Sequence, residues 1–465
     1  LPFVFLIAVL IKRDMFGEVR IKKGLNIKIQ GASEKVYDSN CYESNKIALK
    51  PTDFHSVIPK LLVEVGDSVE VGSPIFCSKA DSRIVFVSTV SGKVSSIVRG
   101  EKRKILEVII ESDHKRTQSK RDFDPISDIS SEKAKEILLS SGLWPYIMQR
   151  PFDVIADPDS SPKSIFVSAL DTCPLPNNYE FSLIKDVDNI QAGINVLKKF
   201  TDGNFYFSVD SDIINSIFSK LSGVKLTKVS GPHPSGDVGV QIHHIDPINK
   251  GEQVWVVNPQ DLAIIGRFFL TGELSFERVV SICGTEVINP KYTKVISGSN
   301  LESFLPMFKE GNNRIISGNI FTGNTIKRDG FLSHYSNHIT VIPEGDNYDF
   351  LGWLLPSSKK FFPLIRANNF SWLFPNKKYK LDTNTNGEER ALVVTGDYEK
   401  VFPMDIYPLQ LLKAFMTEDV ELLEELGAYE VSPEDFALIE FICPSKINSQ
   451  QIVREGLDLM KKELG

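Results

Sequence analysis

The chain has 465 residues and a formal net charge of −7, which is length for about three domains or more. The acidic balance excludes a primary nucleic-acid role, since phosphate binding needs a concentrated basic surface. The five cysteines (Cys41, Cys77, Cys173, Cys283, Cys443) include no CxxC pair, so neither a disulfide framework, a metal site nor an iron–sulfur cluster held by this chain alone is expected.

The chain opens on an apolar run, Leu1 to Ile11. It is shorter than the ~20 residues needed to cross a bilayer. Its basic residues, Lys12 and Arg13, follow the run, whereas a signal peptide carries them in front. Met15 begins an ordinary start, MFGEVRIKKGLNIKIQGA. Residues 1–14 are therefore expected to lie upstream of the working protein, with a short interfacial anchor as the alternative. No later segment is long and apolar enough to span a membrane, so any membrane association is expected to be peripheral.

Residues 15–115 are expected to form a small β domain. Between Leu61 and Glu111, short β-branched runs (Val63–Val65, Val69–Val71, Ile84–Val87, Ile97–Val98, Ile105–Ile110) alternate with turns at Gly66-Asp67, Gly72-Ser73 and Ser91-Gly92. That turn order resembles barrel-sandwich hybrid (lipoyl/biotinyl-like) domains, which either carry a swinging arm or serve as a docking wedge. After a charged linker, Ser112 to Asp124, Ser130 is placed to cap a helix through Ala134, Ile137 and Leu138. Strands at 164–169, 205–209 and 225–230 then alternate with helices at 189–199 and 211–221, so residues 116–254 predict an α/β domain with a largely parallel sheet. From 255 to 335 the pattern is compact α+β: strands at 254–257 and 278–283 around a helix near 261–269. Residues 336–400 read as β-rich, aromatic and basic. Residues 401–465 read as helical, with a helix from Met416 to Leu426 ending at Gly427. Another helix opens at Ser432-Pro433-Glu434-Asp435, which offers an N-cap, an N1 proline and an acidic first turn.

Several motifs have residues that could carry chemistry. Lys79, in Cys77-Ser78-Lys79-Ala80, falls where a carrier domain presents its modified lysine, although carrier hairpins are tighter; an exposed, unmodified lysine on a shared fold is the plainer reading. The α/β region has no GxGxxG, so direct dinucleotide binding is not expected. Gly318 to Thr325, GNIFTGNT, has Asn324 where a phosphate-binding loop needs lysine, and reads as turns. His233, His243, His244 and Asp246 suggest a metal, but if Val240 to Ile245 is a strand the adjacent histidines face opposite ways, which favours a structural role. No nucleophile–base–acid set stands out. Lys93, Arg99, Lys102, Arg103 and Lys104 form a basic hairpin. Lys359 to Lys380 interleaves bases with Phe361, Phe362, Phe370, Trp372, Phe374 and Tyr379, fit for a membrane interface or a partner, or simply for partial burial with solvated lysines.

Taken in order, IKKGLNIKIQGA (Ile21 to Ala32), VEVGDSV, SGKVSSIVRGEKR, SGLWPYIMQRPF (Ser141 to Phe152), SGPHPSGDVGVQIHHIDP (Ser230 to Pro247), FLTGEL, ISGNIFTG, ITVIPEG, LGW, DTNTNGEER, YEKVFPMDI and SPEDFALIEFICPSK (Ser432 to Lys446) resemble the NqrA family of the sodium-translocating NADH:quinone reductases over almost the whole chain. The resemblance implies a multidomain α+β protein: a barrel-sandwich hybrid domain, a Rossmann-like α/β domain lacking the Gly-rich loop, an SLBB (ubiquitin-like β-grasp) module at about 255–335, and a C-terminal helical domain. Fold relatives bind NADH through a glycine loop and a cluster through C-terminal cysteines; only Cys443 remains in that region here. The resemblance further implies a chain peripheral to the cytoplasmic face of the bacterial inner membrane. Its partners would be NqrB to NqrF, and chiefly the membrane-embedded NqrB. It implies no cofactor on this chain, with FAD, FMN, riboflavin and iron–sulfur on the partner chains, and ubiquinone as the complex's substrate. A quinone site needs an apolar slot with donors for the carbonyls. The candidates are Phe54, His55 and Val57 before the β unit, and Trp144, Arg150 and Phe152 at the α/β opening. Each has a packing or capping alternative.

Overall fold

The computed structural model describes residues 16–38, 44–346, 361, 373–374 and 376–464. The expectations for residues 1–14 and for most of the aromatic-basic stretch within 336–400 lie outside the described residues.

The β unit folds as two small antiparallel sheets face to face. One runs in the order Lys46–Leu49, Ile105–Ser112, Gly92–Arg99, Ser68–Val69; the other runs Pro59–Leu61, Pro74–Ser78, Val85–Val87. Period-2 alternation turns Val108 and Ile110 inward with Ile47, Leu49, Phe76, Phe86 and Val94, and a register shift between Ile105 and Glu107 brings Ile105 to the same core.

The seven-stranded sheet runs Phe16–Arg20, Lys225–Ser230, Asn204–Asp210, Ser164–Ser168, Val254–Val256, Met148–Arg150, Val154–Ile155. Its first five strands are parallel and its last two pairings antiparallel. The outermost parallel strand is contributed by the start of the chain, ahead of the β unit. The middle strands bury both faces, Phe205 to Val209 without interruption, which explains their continuous apolar composition. Helices Val187–Leu197 and Pro259–Thr271 cover one face and cross closely, because Gly193 and Gly266 lie at the contact. A Cβ on Gly266 would run into the carbonyl oxygen of Asn189. On the other face, helix Val238–Ile245 lays Ile242 against Phe166 and Tyr206. Strand order reverses between Ser164–Ser168 and Val254–Val256, so their carboxyl ends form the sheet's switch-point crevice. The loop 169–178 turns there toward the next domain.

That domain is a five-stranded mixed sheet, ordered Lys291–Ile296, Glu277–Cys283, His338–Pro343, Asn313–Ser317, Asn324–Ile326. It is bound to the α/β domain by a buried Arg278–Asp261 ion pair at 2.8 Å. Gln260 adds to this tie, donating to the Val279 carbonyl at 2.8 Å. The C-terminal helices Pro408–Thr417, Val420–Glu425, Ala437–Ile442 and Ser449–Leu464 enclose Leu411, Leu412, Phe415, Phe436, Leu457 and Met460. Among the described residues, no helix is long and apolar enough to cross a membrane.

Three local expectations need correction. The segment Val240 to Ile245 is helical, not a strand; its residues Gly239 to Ile242 are all buried, and a short helix buried around its girth loses the polar face that would have marked its period. The helix expected at 211–221 shrinks to a 3₁₀ turn, Ile217–Lys220, capped by Ser216. Ile214 stands in solvent, so an extended helix would have had too little apolar face to bury. The single helix expected from Met416 to Leu426 is two, because Glu418 takes a left-handed φ of 55° and Asp419 starts afresh by accepting from Leu422 N.

Candidate functional site

The quinone candidates fall into two enclosed anchors and a junction. Phe54 is 2% exposed and sits between Phe86 (ring centroids 4.3 Å), His334 (5.1 Å) and Tyr335 (5.6 Å). Around it, Asp53 Oδ2 accepts from His334 N at 2.8 Å and Lys50 Nζ donates to Phe331 O at 3.0 Å. Tyr335 Oη donates to Pro145 O at 2.6 Å. Phe54 therefore ties the β unit to the 334–335 segment, and Tyr335 carries the tie on to the α/β domain. Burial, with Arg278 and Lys50 nearby, pushes His334 down to about 3, so its ring is neutral packing. Trp144 is fully buried, with Nε1 donating to Ala156 O at 2.8 Å and its ring edge-on to Trp255 at 5.6 Å.

The junction lies where the chain turns at Arg150-Pro151-Phe152-Asp153 and meets the C-terminal helices. Arg150 is buried; Nη1 reaches Asp435 Oδ2 at 3.3 Å and Nη2 reaches Glu434 Oε1 at 2.5 Å. Burial works against the guanidinium charge, but Asp435 and Glu434 outweigh it and hold its pKa above the ordinary value. Burial likewise raises Asp435, and raises Glu434 to about 7, with Arg150 opposing both. Asp435 also closes a capping box, accepting from Ser432 N at 2.8 Å. Gly239 is what makes room: a Cβ there would come within 2.5 Å of both Arg150 Nη1 and Asp435 Oδ1.

Phe152 and Asp153 both take left-handed φ values, 77° and 51°, which costs non-glycine residues about 1–3 kcal/mol each. Arg454 on helix Ser449–Leu464 compensates by donating to both of their carbonyl oxygens. One turn along that helix, Asp458 Oδ1 lies 3.5 Å from Arg454 Nε and 2.7 Å from His55 Nε2. The Arg454–Asp458 pair thus brings the His55 loop and the Phe152 turn onto one helix. His55 and Phe152 are partly exposed there, and Val57 lines the adjacent β-unit core. Phe152 meets Tyr429 edge-on at 6.3 Å. The i,i+4 spacing of Arg454 and Asp458 was the available signal for this bridge.

The three histidines have separate partners. His243 Nδ1 meets Glu430 Oε2 at 2.7 Å while its Nε2 accepts from Asp405 N. His244 Nδ1 meets Val240 O. His233 Nδ1 meets Thr172 Oγ1 at 3.2 Å and its ring stacks on Phe321. Lys79 is exposed in the loop joining Pro74–Ser78 to Val85–Val87, where Arg83 is clamped by Asp81 and Asp159. An open depression of about 630 Å³ on the β unit is lined by Ser68, Val69, Glu70, Lys93, Glu111 and Asp113, too open and too charged to enclose a quinone ring and tail.

Three family models cover successive parts of the chain: the NqrA N-terminal barrel-sandwich hybrid domain at residues 19–113, the NqrA second alpha/beta domain at 129–274, and the NQRA C-terminal domain, of SLBB type, at 279–328. The NqrA chain of the Na(+)-translocating NADH-quinone reductase of Pseudomonas aeruginosa is 35% identical over 450 residues, 96% of this chain and 100% of the relative. The chain belongs to the NqrA family. Its counterpart from Pasteurella multocida is 35% identical over 453 residues, 96% of this chain and 100% of the relative. That from Rhodopirellula baltica is 34% identical over 452 residues and covered to 98%. This NqrA is accordingly one chain of a multi-subunit, sodium-translocating NADH:quinone oxidoreductase.

Proposed function

We propose that this NqrA is a cofactor-free, cytoplasm-facing peripheral component, docked chiefly on the membrane-embedded NqrB, which supports or forms part of the ubiquinone-reduction site at that interface. The α/β domain is then a Rossmann-like scaffold without its phosphate loop, and the five-stranded sheet a β-grasp module. The observation that carries the reading is the convergence of the His55 loop and the strained Phe152 turn on Arg454 and Asp458. Through that helix it brings together two loops that carry a partly exposed imidazole, His55, and a partly exposed aromatic ring, Phe152, with apolar Val57 two residues from His55, the residue types a quinone head group uses. Phe54, Trp144 and Arg150 support these loops from behind. The slot is completed by the membrane partner, which supplies the missing apolar wall, and flavins and iron–sulfur stay on the partner chains.

The test is a mild-detergent purification from native membranes with mass spectrometry of the co-purifying chains, followed by kinetics of the intact complex. Recovery of flavin- and iron–sulfur-bearing partners with NADH-dependent, sodium-stimulated quinone reduction supports the assignment. His55→Ala and Phe152→Ala should raise KM for ubiquinone while electron transfer from NADH to an artificial acceptor stays unchanged. Unaltered ubiquinone kinetics in both variants would refute the site. The second reading, a carrier or scaffold modified at Lys79, rests on that residue's exposed hairpin position, and intact mass discriminates it.

A further inference from the structure

At the switch-point crevice, a cluster forms from residues far apart in sequence. Asp171 and Cys173 sit on the loop leaving strand Ser164–Ser168, and His338 is the first residue of strand His338–Pro343 in the neighbouring sheet. One carboxylate oxygen, the Cys173 sulfur and one imidazole nitrogen all lie within 4.8 Å of one another. Cys173 and His338 are each 6% exposed. His338 Nε2 stands 3.2 Å from Asp171 Oδ2 without a well-aligned hydrogen bond, and against burial the imidazole helps hold the Asp171 carboxyl below its ordinary value. The backbone on both sides is fixed. Asp171 accepts from Cys173 N at 3.0 Å and from Asn177 N at 2.8 Å, while Asn177 Nδ2 donates to Asn337 O at 3.2 Å, next to His338.

We propose that Asp171, Cys173 and His338 form a binding site for a divalent zinc-class ion that staples the α/β domain to the five-stranded sheet. Thiolate, imidazole and carboxylate together suit zinc and exclude magnesium and calcium, which take all-oxygen shells. Around a tetrahedral zinc with bonds of about 2.0–2.3 Å, donor atoms lie roughly 3.3–3.8 Å apart. The observed cluster closes on an ion with side-chain shifts of about 1 Å or less. Backbone amides orient the Asp171 carboxylate, the outer-shell arrangement a metal ligand needs. Water fills the fourth position on the side of Asp171, whose side chain is 13% exposed. Cysteine spacing gave no sign of the site, because one ligand comes from another domain.

The full-length chain, stripped with a chelator and kept reduced, is titrated with cobalt(II) as a spectroscopic probe. About one cobalt per chain should bind with a thiolate-to-metal charge-transfer band that zinc abolishes, and zinc should raise the melting temperature. Cys173→Ser should lose the band, His338→Gln should weaken binding by about tenfold or more, and Cys77→Ser should keep it. A folded wild-type chain without the band overturns the proposal, as does a Cys173→Ser chain that retains it. The wild-type titration decides alone if a ligand variant does not fold.

Discussion

Replacing Arg150 by Met tests how the C-terminal helices are held. The substitution keeps an unbranched side chain of similar reach but removes the only cation that Asp435 and Glu434 contact among the described residues of this buried group. Asp435 is fully enclosed, whereas the Glu434 side chain keeps 38% of its exposure, so Asp435 carries most of the loss. Breaking a buried pair from one side costs about 3–5 kcal/mol. With an unfolding entropy of ~2.1 cal/mol/K per residue over 465 residues, the melting midpoint falls by about 3–5 °C if the whole chain melts together, and by more if the α/β and C-terminal parts melt as a smaller unit. Scanning calorimetry reads this, and it should depend on pH. A carboxyl whose folded pKa lies above its unfolded value stabilises the fold below the unfolded value, and that contribution fades as pH rises through the folded one. For Glu434 the window opens at 4.5 and extends toward about 7, narrowed by the solvent that its 38% exposed side chain meets. Losing the cation raises both carboxyls further, so the penalty of Arg150→Met should be smaller at about pH 5 than at about pH 8. A midpoint within about 1 °C of wild type, or an equal penalty at both pH values, would refute the reasoning.

Gly266→Ala should destabilise by about 2 kcal/mol or more, because its methyl meets the Asn189 carbonyl across the crossing of Val187–Leu197 and Pro259–Thr271; thermal melting reads it. His233, pushed down to about 4 by burial against a smaller opposing pull from Asp171, contributes stability that is complete above its unfolded value of 6.5 and lost as pH falls toward 4. His233→Gln should flatten that limb of the stability–pH curve by about 3 kcal/mol, with urea midpoints as the readout. Intact-mass measurement of the purified chain should show no adduct on Lys79, and Lys79→Arg should leave sodium-stimulated quinone reduction unchanged.

Local rules carried the reading where they had little competition. Ser130 caps its helix through Lys133 N as its position predicts, and the Ser432–Asp435 box forms. The turn at Gly66-Asp67 is closed by Asp67 Oδ2 accepting from Glu64 N. What stayed hidden depends on tertiary partners. Val240 and Ile242 alternate like a strand because the helix holding them is buried on several sides. Phe54 and Trp144, both plausible ligand contacts by composition, are enclosed by residues hundreds of positions away or from other strands. The i,i+4 spacing of Arg454 and Asp458 marks that pair on the last helix, but nothing local says that residues 152 and 55 are what it meets. Cys173 looked solitary for the same reason.

The strand Phe16–Arg20 sets a timetable for the nascent chain. Val19 pairs with Val229, so this strand waits for more than 200 residues of synthesis before its partner exists. At ~5–20 residues per second that is roughly 10–40 s, during which the β unit between them can fold while the backbone edge of this strand stays unpaired. The large sheet therefore closes late, by capture of a segment made early, and slow or interrupted translation between residues 20 and 225 prolongs the interval in which that edge can find another chain instead.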